Sequence, residues 1–184
     1  MFLPAFFVKQ KLTLMVNRYE IRGVGADGQP GDLIAMAQQK RMAFKEQVTF
    51  YADEERTRAV FSFKARQVID LSSGYDVFDE RGEAIGFFRK DFGKSLLRST
   101  FHLHGPHGLN AIGQERNQAI AIIRRFVDLP FAFHFDFLQE GQSVMHVDRQ
   151  FSLRDRYAVT VPDRRLDFRL AAAMTVALDA LMSR

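Results

Sequence analysis

The sequence contains no cysteine and no tryptophan, and only 5 prolines in 184 residues. Without cysteine there is no disulfide framework, no thiolate zinc site and no thiol nucleophile, a composition that suits a reducing compartment. No run of apolar residues is long enough to cross a bilayer as a helix. The apolar start, Met1 to Val8, lacks a basic leading segment, is interrupted by Pro4 and ends at Lys9 and Lys11. A signal peptide is therefore not expected, and a cytoplasmic protein is. Charge of one sign is only mildly in excess: the net charge is +4, and no run of five or six basic residues occurs. Such an excess raises the prior for an anionic partner, a lipid surface or nucleic acid, without specifying one.

What is abundant is phenylalanine, with 19 Phe beside 4 Tyr. Aromatic side chains favour the half-buried faces of strands, and most of the chain reads with period two. Phe131, Phe133, Phe135 and Phe137 share one face, and His134 and Asp136 lie on the other. Gln47–Tyr51 and Ala59–Lys64 flank a charged turn, as Tyr75–Asp79 and Ala84–Phe88 flank Glu80-Arg81-Gly82-Glu83. There Asp79 can cap the turn while Gly82 takes a positive φ. Tyr19–Arg22 and Leu33–Ala35 make a looser copy of that hairpin around a Gly- and Asp-rich stretch. Ser143–Val147 and Tyr157–Val161 read as two further strands.

Two segments depart from this pattern. Ile120, Ile123 and Val127 have helical spacing, which predicts a short surface helix over Gln114–Val127. Leu166–Met182 is apolar almost all the way round, rich in alanine and leucine, with Asp163 or Asp167 available as a cap. A helix with no polar face has to be buried on every side. Wrapping the strands round it gives each inner face a partner and removes exposed edges. The fold class expected is mainly β, a closed antiparallel β-barrel around a hydrophobic C-terminal helix, in one domain spanning residues 1–184.

Three stretches carry a likeness to a known family: Phe7-Val8-Lys9-Gln10-Lys11, the segment from Tyr75 to Gly86, and the closing segment from Leu166 to Leu181. In these, in order, the chain resembles the tubby-like superfamily, in the branch that holds LURP-one-related proteins and phospholipid scramblases. The resemblance implies a barrel of about twelve strands around a central helix. It also implies a contact with anionic phospholipid or phosphoinositide, the property of tubby proteins. The acidic calcium segment of scramblases has no counterpart here.

Catalytic signals are sparse. His102, His104 and His107 flank a Gly-Pro turn, and the first two share a strand face, so a metal or acid–base site is the sharp reading and a surface turn the preferred one. Ser72, Ser73 and Ser95 lie in no nucleophile elbow. Gly23-Val24-Gly25-Ala26-Asp27-Gly28 matches a dinucleotide fingerprint literally, but without the strand–helix context that gives it meaning. Asp179 interrupts the apolar helix and needs a partner, either a backbone group or an arginine. No catalytic residue, metal or cofactor is expected. The function expected is a non-catalytic binding or adaptor module contacting anionic phospholipid head groups, with Lys40, Arg41, Lys45, Arg89, Lys90, Lys94 and Arg98 as the densest basic candidates. The alternatives are a small-molecule-binding barrel or histidine-dependent enzyme, a protein partner, and nucleic-acid binding through the basic surface.

Overall fold

The computed structural model describes residues 1–12, 16–40, 47–66, 74–91, 99–116, 134–150 and 156–182. Among the described residues, twelve strands are followed by one helix. The strands are β1 (Ala5–Leu12), β2 (Val16–Val24), β3 (Pro30–Lys40), β4 (Gln47–Tyr51), β5 (Ala59–Ala65) and β6 (Tyr75–Asp79). They continue with β7 (Ala84–Asp91), β8 (Thr100–His104), β9 (Asn110–Glu115), β10 (His134–Gln139), β11 (Gln142–Gln150) and β12 (Arg156–Thr160). The helix α1 runs from Phe168 to Met182. Each strand pairs antiparallel with its neighbours in sequence, and β1 pairs with β12 to close the barrel, Phe6 opposite Val159 and Val8 opposite Tyr157. This is the up-and-down solution to the edge problem.

The alternation read in the sequence sets which side chains enter. Phe61 and Phe63 of β5, Val77 of β6 and Phe135 and Phe137 of β10 are buried, and the residues between them are partly or fully exposed. Phe50 stacks on Phe61 at 4.1 Å and Tyr75 on Phe88 at 5.3 Å, so aromatic pairs bridge neighbouring strands on the inner face. The predicted turn forms as expected: Asp79 Oδ1 accepts from the amides of Arg81 and Glu83, both at 2.9 Å, and Gly82 has φ 80°. The segment Gly23–Gly28 belongs to the β2–β3 hairpin, consistent with a turn. Gln114 and Glu115 complete β9 instead of opening a helix, because Gln114 stands opposite both Thr100 and Asp136 in the sheet. Residues 117–127 of that predicted helix lie outside the described residues.

The helix is the core. Leu170 to Leu178 are inaccessible to solvent without exception, three consecutive alanines included. Small side chains let the strands approach closely: a Cβ on Gly86 of β7 would lie 2.6 Å from Leu170 and 2.5 Å from the His104 carbonyl. Asp167 caps the start, its Oδ1 accepting from the Arg169 amide at 2.9 Å. Lys90 closes the other end, its Nζ donating to the Leu181 carbonyl at 3.2 Å, where the helix dipole favours a cation. No described helix is long and apolar enough to cross a membrane.

Candidate functional site

The outer wall formed by β12, β1 and β2 carries a cluster of cations. Lys9 stands opposite Arg156 on one side and Glu20 on the other, Lys11 faces Arg18, and Phe7 faces Arg22. Odd positions of β1 and even positions of β2 point outward, so these side chains form neighbouring rows on one face. Glu20 lies beneath them, fully buried, in contact with Lys11 and 3.0 Å from the Arg22 Nε. Burial pushes the Glu20 carboxyl up, but Lys11 and Arg22 outweigh it and hold it below its ordinary value. Arg18 reaches Glu54 at 2.9 Å, and the Arg156 guanidinium lies 5.5 Å from the centre of the Phe7 ring. Five cations therefore face two carboxylates, and Lys9 has no carboxylate partner among the described residues.

The basic residues nominated from the sequence do not gather in one described place. Arg89 is exposed on the outside of β7, opposite His102, on the far wall of the ring from β1. Lys90, its neighbour, points inward and caps the helix, as period two requires. Lys40 ends β3, with its side chain outside the described part, and Arg41, Lys45, Lys94 and Arg98 lie outside the described residues altogether.

The His102 and His104 rings lie near-parallel at 6.4 Å, but each makes its own polar or stacking contact. The His104 ring stacks on Phe87 at 4.2 Å and pairs with Asn110, His102 lies 3.4 Å from Asp91, and His107 forms the β8–β9 turn with φ 55°. Among the described residues no three His, Asp or Glu converge on a metal position.

One arrangement was hidden from sequence reasoning. Ser143 Oγ lies 2.5 Å from His146 Nε2, and His146 Nδ1 lies 2.7 Å from Asp136 Oδ1. In a regular strand, residues 143 and 146 face opposite ways. The β10–β11 register shifts, pairing Phe137 with Met145 but Leu138 with Ser143. Val144 and Met145 both turn inward, and the bulge returns Ser143 to the outer face beside His146. The order nucleophile, base and carboxylate is that of a hydrolase relay. Its carboxylate is already committed: Arg116 clamps Asp136 at 2.5 and 2.8 Å and, with His146, lowers it to about 2. Arg116 also reaches Asp148, which binds His134 at 2.6 Å, so the relay is one arm of a cross-strand ion ladder.

At the helix's C-terminal end Asp179 is buried and accepts hydrogen bonds from two tyrosine hydroxyls, Tyr19 at 2.8 Å and Tyr157. Gln10 donates to Tyr19 at 3.2 Å, and Arg149 stands opposite Tyr157 in register on the same inward side. At the other end, β4 stops at Tyr51 while β3 continues past it, and a cleft of about 720 Å³ opens between β3 and β5 beside Phe168.

No curated protein and no solved structure matches the chain at a significant level. The family model for LURP-one-related proteins matches residues 34–179, which takes in all but the first two strands, the start of β3 and the last residues of the helix. With its twelve strands closed round a C-terminal helix, the chain belongs to the LURP-one-related family, within the tubby-like superfamily.

Proposed function

We propose that this barrel is a non-catalytic binding module that contacts anionic phospholipid head groups through the wall of β12, β1 and β2. The observation that carries the reading is the cluster Lys9, Lys11, Arg18, Arg22 and Arg156, offset among the described residues by Glu20 and Glu54. A cation near an anionic bilayer surface contributes about 1 kcal/mol, so a net excess of this size supports weak, salt-sensitive binding. Arginine adds a planar fork that matches phosphate oxygens. Arg89 and the basic residues from Lys40 to Lys45 and Lys94 to Arg98 are the competing location for the same contact.

Sedimentation with phosphatidylcholine vesicles, with and without phosphatidylserine or phosphoinositide, tests this at low and high salt. Binding is expected only to the anionic vesicles and should fade as salt rises. Lys9→Glu with Arg156→Glu should remove it at an unchanged unfolding midpoint, whereas Arg89→Glu should not. Equal sedimentation with neutral vesicles, or none at low salt, would end the proposal; loss on Arg89→Glu alone would move the site to β7.

A further inference from the structure

The short fourth strand leaves a gap in the wall. β3 and β4 are in register through Met36 with Tyr51 and Ala37 with Phe50, and β4 ends there with a register shift against β5. Past Tyr51, which stands between Met36 of β3 and Ala59 of β5, no described strand separates Ile34–Ala35 of β3 from Arg58 at the entry to β5. The opening is a cleft of about 720 Å³, within the roughly 300–1,000 Å³ range of small-molecule sites. Its floor is hydrocarbon: Ile34, Val60, Phe61 and the first helix residue, Phe168, whose ring meets Phe61 edge-on at 6.0 Å.

The rim is charged, and its charges are unequally satisfied. Arg169 is held by Asp167 and by Glu80, at 3.0 Å each. Arg58, exposed at the start of β5, has no carboxylate partner among the described residues. The turn that presents it is fixed, because Asp53 accepts from the amides of Thr57 at 2.8 Å and Arg58 at 3.0 Å. An apolar slot with one uncommitted guanidinium at its lip complements a hydrocarbon chain ending in a carboxylate, which arginine can bind with two parallel hydrogen bonds.

We infer that this cleft is a binding site for a single-chain carboxylate amphiphile of the fatty-acid class, its chain lying between β3 and β5 over Phe61 and Phe168 and its carboxylate on Arg58. This occupancy is independent of the proposed bilayer contact. The cleft takes one dispersed molecule, and its residues are not those of the β12–β1–β2 wall.

Titration calorimetry with dodecanoate, kept below its micelle-forming concentration, tests the site on the intact chain. One molecule per protein is expected, with dodecanol at least tenfold weaker. Arg58→Glu should weaken dodecanoate tenfold or more and leave dodecanol unchanged. Ala59→Trp, a substitution at an exposed position that fills the cleft, should abolish both, while Lys9→Glu with Arg156→Glu should affect neither. No heat and no 1:1 complex in native mass spectrometry would overturn the inference, as would binding that survives Ala59→Trp. Because vesicle sedimentation reads the other wall, either proposal can fail while the other stands.

Discussion

The Tyr19 hydroxyl donates to the Asp179 carboxylate across 2.8 Å, tying the second strand to the last turns of the helix 160 residues later. Both groups are buried, so neither can turn to water when the other is removed. Tyr19→Phe is expected to cost about 1–3 kcal/mol, the range for stranding a buried polar partner. Urea unfolding measures it; an unchanged midpoint would show that the carboxylate is fully satisfied elsewhere.

Helix substitutions should be far more damaging than their size implies. Leu178→Ala opens a cavity with strands on every side and is expected to cost about 2–5 kcal/mol. Ala173→Asp buries a charge among apolar neighbours and should prevent folding. A chain ending at Pro162 leaves the inner phenylalanines uncovered and should aggregate. Gel filtration and thermal melts give the outcome, and a monodisperse, cooperatively melting 1–162 fragment would contradict the helix's role as core.

The Arg116–Asp136 pair should leave a mark on acid stability. Arg116 and His146 hold Asp136 at about 2, below the value near 3.9 of an unfolded chain. A group depressed in the folded state contributes stability above its unfolded pKa and loses it as pH falls through the folded one. The contribution, on the order of 1–2 kcal/mol after solvent screening, should be complete above about pH 4 and gone near pH 2. The neighbouring carboxylate Asp148 shares Arg116, so the comparison is between Asp136→Asn and the parent chain. Their stabilities should converge as pH drops across that window; a constant difference would refute the assignment.

Ser143 is expected to be chemically quiet despite its place beside His146. The carboxylate that would steady a protonated imidazole is already neutralised by Arg116, and the cleft described above opens on β3–β5, away from β11. A fluorophosphonate probe should therefore label the parent chain no faster than Ser143→Ala. Rapid labelling that disappears in both Ser143→Ala and His146→Ala would make this relay a reactive centre.

The fold was legible because two local signals agreed. The segment from Leu170 to Leu178 has no polar face to offer water, and the turns at Gly82 and Gly28 mark hairpins between flanking strands. The surface sites were not legible, for reasons of geometry. Lys9, Lys11, Arg18 and Arg22 meet through the β1–β2 pairing, but Arg156 joins them only when β1 meets β12, a contact spanning nearly the whole chain. Consecutive positions Arg89 and Lys90 read as one basic patch, yet a strand sends them to opposite faces. Ser143 and His146 fail the period-two test and succeed only through the bulge at Val144. The gap beside β4 depends on where one strand stops relative to another, which no composition records.

The order of elements has a consequence for how the molecule comes into being. Every strand precedes the helix they enclose, and the first strand waits for the twelfth. During synthesis the sheet therefore leaves the ribosome with nothing to wrap and with both edges open. Closure has to await residues near 160, and a dry interior has to await residues near 178. Such long-range pairing makes folding slow and places its hazard before the end of translation. In this interval partly formed hairpins can stick to one another, which makes the nascent chain, more than the finished barrel, the state in need of chaperones.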